Sequence, residues 1–139
     1  KARAAQVDWA GRPVAERIPD EARARGDRLV VGVNSDASVR RLKGPARPIV
    51  AAADRVAVLE ALACVDLAVI FDDDTPARLI EAVHPDVLVK GGDWAVAQIV
   101  GREFVESYGG RVASIPLRAG CGTSVLVERI RAGRSALEP

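Results

Sequence analysis

Five cations crowd one part of the chain: Arg40, Arg41, Lys43, Arg47 and Arg55. They follow an apolar run, 29–33, that stops at Asn34-Ser35-Asp36. Lysine and arginine recur where phosphate groups must be held and their charge spread. A buried strand that delivers polar residues at its carboxyl end is how open α/β sheets build ligand sites. The chemistry suited to this spacing is capture of a phosphorylated small molecule. The stretch 40–48, with one glycine and two prolines, fits a mobile or extended flap over anionic groups and equally a solvated basic loop. Asp36 fits a ribose hydroxyl or a metal, and also an Asx turn at the strand end.

Two further clusters have the same placement. Val87-Leu88-Val89-Lys90-Gly91-Gly92-Asp93-Trp94 reads as a buried strand followed by a lysine, two glycines that let backbone approach a ligand, and an acid. Glycines also serve plain turns. Gly120-Cys121-Gly122-Thr123-Ser124 is a small-residue turn before a helical pattern, where free amides and hydroxyls suit a phosphate or serve as an ordinary cap. All three clusters come just after predicted strands. In a parallel sheet those ends share one edge, which favours a single site. His84, ahead of Pro85, reads as a capping or surface residue, and Asp72-Asp73-Asp74 as a metal site or a solvated loop.

The elements that must position these residues are short apolar runs at 29–33, 67–71, 87–89 and 111–116, with helical patterns between them. That alternation predicts an α/β fold built on a mostly parallel sheet. Asp54 suits the cap of a helix running to about residue 63, Thr75-Pro76 the start of one running to about 83, and 96–108 a helix stopped by Gly109-Gly110. A last helix is expected over 123–132. The first ten residues fit a helix, whereas Arg12-Pro13-Val14-Ala15 resembles the approach to a strand that is never completed.

A chain of 139 residues suits one domain with its own core. Its formal net charge of +1 provides no global basic field, so nucleic acid is not suggested as a partner and any phosphate site must be local. Cys64 and Cys121, far apart and accompanied by a single histidine, suggest neither a zinc site nor a disulfide framework, and Cys64 in an apolar run reads as a buried thiol. No signal peptide or membrane-length apolar stretch is evident, and the expected location is the cytoplasm.

Taken in order, Val31-Gly32-Val33-Asn34-Ser35-Asp36, Leu42-Lys43-Gly44, Arg47-Pro48-Ile49, Asp54-Arg55 and Val89-Lys90-Gly91-Gly92-Asp93 resemble the cytidylyltransferase-like nucleotidyltransferases, specifically the D-glycero-β-D-manno-heptose 1-phosphate adenylyltransferases. The resemblance covers about residues 21–131. It implies one Rossmann-like nucleotidyltransferase domain over 1–139, with helices on both faces of a parallel sheet. The implied reaction transfers AMP from ATP to the sugar 1-phosphate, giving ADP-heptose and pyrophosphate. ATP is then a substrate, Mg2+ is expected with it, no resident metal site is expected, and a homodimer is compatible with the family. By position, Lys43 matches the family's flexible-loop lysine near the phosphates and Arg55 its arginine at a helix start; these are the catalytic candidates. Asn34, Asp36, Lys90, Gly91, Gly92 and Asp93 are the nucleotide-binding candidates, joined by Thr123 and Ser124, which match hydroxyls of the Ser-Thr-Thr turn that opens the last helix. Gly122 stands at the first position of that turn.

The family pattern also has a first strand running into Thr-Asn-Gly-Cys-Phe-Asp and then His-x-Gly-His. This chain has neither histidine, and the first central strand and phosphate turn are expected to be missing, with a join between Ala15 and Glu16. Either the intact molecule carries that segment, which is the expectation, or it is deleted or replaced; an intact mass equal to that of these 139 residues would overturn the expectation. The alternatives are a nucleotide-binding module that has lost turnover, and a related transferase that uses CTP or acts on another phosphorylated small molecule.

Overall fold

A computed structural model of the chain describes residues 3–7, 17–92, 94–116, 128 and 130, with residues 3–7, 17 and 18 described by backbone alone. Five strands form one parallel sheet: β1 (Arg3–Val7), β2 (Arg28–Asn34), β3 (Leu67–Phe71), β4 (Val87–Gly91) and β5 (Arg111–Ile115), in the order β3-β2-β1-β4-β5. The helices between them are α1 (Arg17–Arg23), α2 (Asp36–Lys43), α3 (Ala52–Glu60), α4 (Ala77–Val83) and α5 (Arg102–Ser107), with a 3₁₀ turn at Val96–Gln98.

Alternation along the strands explains why helices cover both faces. Leu29, Val31 and Val33 of β2 and Val87 and Val89 of β4 pack with Ala22 of α1 and Leu59 of α3. Leu88, between Val87 and Val89, points the other way, into a second cluster with Phe71, Ile80 of α4 and Val105 of α5. Strands buried on both faces read as continuous apolar runs, which is why β2 and β4 are visible in the sequence.

The expected loss of the first central strand is corrected here. Arg3–Val7 occupies the central position, pairing Ala4 with Leu29 on one side and with Val87 on the other. The helix that fits the first ten residues is therefore not formed at 3–7. Arg-Ala-Ala-Gln-Val has good helix formers, but two flanking strands satisfy its backbone, and tertiary context overrides a weak local preference. The segment 11–15 lies outside the described residues, as does most of the helix expected over 123–132.

Other boundaries moved for local reasons. The stretch 40–48 is not all loop, because α2 carries Arg40, Arg41 and Lys43 in its last turn and ends at Gly44. The helix expected over 96–108 is divided at Gly101, which holds φ at 86° ahead of α5. A Cβ on Gly101 would lie 2.6 Å from Ile80 Cδ1. Gly101→Ala should therefore cost about 1–3 kcal/mol from backbone strain alone, read as a lower urea midpoint with no change in circular dichroism at rest. Cys64 is half-buried rather than buried; desolvation, and then its hydrogen bond with Asp20, push its thiol pKa up.

Asp66, in the turn before β3, ties that turn to β2. Its Oδ2 accepts from the Leu29 amide at 2.8 Å and its Oδ1 from Arg28 at 3.1 Å, with Arg23 at 3.6 Å. The Leu29 amide first, then the arginines, hold its carboxyl below the usual carboxylate range. A depressed folded-state pKa contributes stability that is present above the unfolded value of about 3.9 and is lost as pH falls through the folded one. Asp66→Asn should flatten the fall in stability below about pH 4, measured by urea denaturation at several pH values.

Candidate functional site

Strand register decides which polar groups meet. Asn34 lies opposite Phe71, so Ser35 and Asp72, one residue beyond each, are neighbours at the carboxyl edge. The Ser35 amide donates to the Phe71 carbonyl at 2.8 Å and the Ser35 hydroxyl donates to Asp72. Ser35 caps α2, its Oγ accepting from the Ser38 amide at 3.0 Å. Ser38, fully buried, donates to the Asp73 carbonyl at 3.1 Å and accepts from Asn34 Nδ2 at 3.0 Å. Because the Ser38 hydroxyl proton goes to Asp73, the Asn34 amide nitrogen must face Ser38. Asn34 Oδ1 then has no hydrogen-bond partner among the described residues.

The cations divide into two groups. Arg55, one turn into α3, is only 3% exposed. Its Nη2 donates to the Asn34 carbonyl at 2.8 Å and to Asp36 Oδ1 at 2.9 Å, and its Nε donates to the Val50 carbonyl at 3.1 Å. Asp36 Oδ1 also accepts from the Ala52 amide at 2.8 Å. Asp36 thus caps α3, the role expected of Asp54, which sits within the first turn instead. Arg41 is turned toward the β3 end, with its Nε 2.7 Å from Asp74 and a hydrogen bond to the Asp72 carbonyl. The Asp74 hydrogen bond raises the guanidinium pKa above its ordinary value. Lys43 and Arg40 are exposed on α2 and Arg47 is half-buried on the following loop. Neither Arg40 nor Arg47 forms an ion pair with another described residue.

Beyond β1 lies the second cluster. Lys90 sits opposite Val7 and its ammonium stands 5.2 Å from the Trp94 ring. Gly92 holds φ at 127°, a region closed to most side chains. Its amide donates to the Ile115 carbonyl at 2.8 Å, and its carbonyl accepts from Ser114 Oγ. Asn34, Asp36, Lys90, Gly91 and Gly92 therefore share the carboxyl edge, with β1 between the two groups. At a strand spacing of roughly 4.8 Å, β2 and β4 are about 10 Å apart, a span a nucleotide can bridge. Strand order reverses between β1 and β4, the topological switch point where open sheets hold ligands. Asp93, Thr123 and Ser124 lie outside the described residues. His84 is at the opposite edge, where it ends α4 with φ 49° and stacks 3.8 Å from Tyr108.

The profile of the cytidylyltransferase-like family matches residues 17–125. The chain belongs to this family of nucleotidyltransferases. It is 58% identical over 113 residues to the bifunctional protein HldE of Geotalea uraniireducens, covering 81% of this chain and 23% of that protein. With HldE of Alcanivorax borkumensis the identity is 57% over 112 residues, covering 81% and 24%. The chain thus spans about a quarter of the length of these curated relatives. Among solved structures, the lipopolysaccharide core biosynthesis protein from Thermoplasma volcanium GSS1 superposes with a TM-score of 0.63 at 23% identity, covering 84% of this chain and 96% of that one. That likeness concerns the fold.

The acidic latch between α2 and the end of β3 was not foreseen. No local signal marks Asp72 to Asp74 as partners of Ser35, Ser38 and Arg41, because only the β2–β3 register brings them together. Among the described residues no group of three or more histidine, cysteine or acidic side chains could hold a metal ion. Asp73 and Asp74 face Arg78 and Arg41 instead.

Proposed function

We propose that this domain transfers AMP from ATP to D-glycero-β-D-manno-heptose 1-phosphate, giving ADP-heptose and pyrophosphate. The observation that supports the reading is that α2, which carries Lys43, follows β2 and that Lys90-Gly91-Gly92 ends β4 on the same carboxyl edge of a cytidylyltransferase-like sheet whose strand order reverses between β1 and β4. In this reaction an oxygen of the sugar phosphate attacks the α-phosphorus in line, and the bond from that phosphorus to the bridging oxygen breaks as pyrophosphate leaves. Protein groups have little covalent work in such a step; positioning and charge neutralisation dominate. Lys43 and Arg47 carry the charge that would face the phosphates. Gly91 and Gly92 let main-chain groups approach the nucleoside, and Lys90 adds a cation at the same edge. Mg2+ enters on ATP as part of the substrate, needing few protein ligands of its own because it keeps water and phosphate oxygens around it.

With the intact protein, ATP and heptose 1-phosphate should release pyrophosphate, measured by a coupled phosphate assay. No release with any sugar phosphate would end this reading. A second reading is favoured by one observation: the only histidine in the chain, His84, is at the wrong edge for the family's His-x-Gly-His chemistry. In that case the domain binds the nucleotide without turnover, and calorimetry would give an ATP isotherm while no pyrophosphate forms.

A further inference from the structure

Arg55 and Asp36 resemble ligand-binding groups in the sequence, yet both spend their charge on the protein. Arg55 reaches the end of β2 through the Asn34 carbonyl, the start of α2 through Asp36, and the end of the cation-bearing loop through the Val50 carbonyl. Asp36 reaches the start of α3 through the Ala52 amide. Together they pin the far end of residues 44–51. The near end leaves α2 at Gly44, where φ is 89° and a Cβ would meet nothing within 4 Å. Arg47 is thus carried on a loop that is anchored at 50–52 and joined to α2 at Gly44, whose amide donates to the Arg40 carbonyl at 2.9 Å, with Lys43 at the loop's root as the last residue of α2.

We infer that Asp36 and Arg55 are positioning residues: by anchoring the 44–51 loop they set the place of Arg47, and of Lys43 at the α2 end where that loop begins, against the phosphates, and touch no ligand themselves. The inference rests on the nucleotide reading above. The physical reason is entropic. A loop held in its bound shape beforehand does not have to be ordered when the anion arrives, and an unanchored one loses that freedom on binding. A guanidinium that is 3% exposed and directed at protein acceptors has no comparable route to a phosphate.

The test uses the intact protein, the gentle variants Asp36→Asn and Arg55→Lys, and Ile80→Val as a control that loosens the core on the opposite face. Two quantities are measured: ATP affinity by calorimetry, and the rate at which trypsin cuts after Lys43 in the native protein. Both clasp variants should bind ATP about tenfold more weakly, the cost of ordering two long side chains and their loop. They should also be cut about tenfold faster as the loop opens more often, while Ile80→Val changes neither. Faster cutting with unchanged ATP affinity would overturn the inference. So would an affinity lost in Arg55→Lys alone with cutting unchanged, which is the pattern of direct contact. If the unaltered protein binds no ATP, the nucleotide reading fails by itself, and unchanged cutting in the variants would then remove the loop anchor as well.

Discussion

Arg55→Met should lower the stability of the domain by about 3–5 kcal/mol, a large share of the 5–15 kcal/mol typical of such folds. Methionine fills much of the same volume, so the loss is electrostatic rather than a cavity. Removing the guanidinium leaves the Asn34 and Val50 carbonyls short of a donor and the Asp36 carboxylate without its cation. A buried pair broken on one side costs more than the pair was worth, because the remaining charge has given up its water. Asp36 keeps 32% of its side-chain surface exposed, so water can recover part of that charge and the lower end of the range is expected. The measurement is urea denaturation, with the midpoint falling by roughly 2 M for a slope of about 2 kcal/mol per molar. A midpoint within a few tenths molar of the unaltered protein would show that the network contributes little. Arg55→Lys and Asp36→Asn are milder because each retains either the charge or an acceptor.

Lys43→Ala should act in the opposite way, leaving stability nearly unchanged and removing most of the turnover. Lys43 is exposed in the last turn of α2, so its truncation opens no cavity. Under the proposed activity its ammonium stands beside the phosphates, where negative charge shifts onto the departing pyrophosphate. Loss of one such stabilising group costs about 10²–10³ in kcat. Pyrophosphate release should fall by that factor, with the urea midpoint unmoved and Lys43→Arg restoring part of the rate. A variant with unchanged kcat would take Lys43 out of the catalytic machinery. The contrast between the two cations is a contrast of burial: one belongs to the frame, the other to its open edge.

How much of this was legible in the sequence follows from how local each signal is. The runs at β2 and β4 stand out because strands buried on both faces need apolar side chains whatever their neighbours, while the margin strand β3 is an apolar run although its Leu67 and Ile70 stay exposed. The start of α4 near Thr75-Pro76 is equally local; the structure begins that helix at Ala77, with Pro76 at the cap position and no side-chain cap hydrogen bond. The motif order placed the chain in its family: two of the motifs lie at the ends of β2 and β4, and the others follow in order on α2, the loop after it and the start of α3. β1 was hidden because its residues favour a helix, and only the two strands that flank it make it extended.

At the candidate site the sequence by itself determined the kinds of group available: five cations near one strand end, a lysine and two glycines near another, and no histidine pair. Tertiary structure decided which of them are committed. Arg55 and Arg47 are the same residue type eight positions apart, yet Arg55 is buried among carbonyls and Asp36 while Arg47 has no ion-pair partner among the described residues. Likewise, Asp72 to Asp74 became partners of α2 through strand register. The physical reason is range: hydrophobic period, caps and turns are written in neighbouring residues, whereas the partner of a charge is chosen by chain segments tens of residues away.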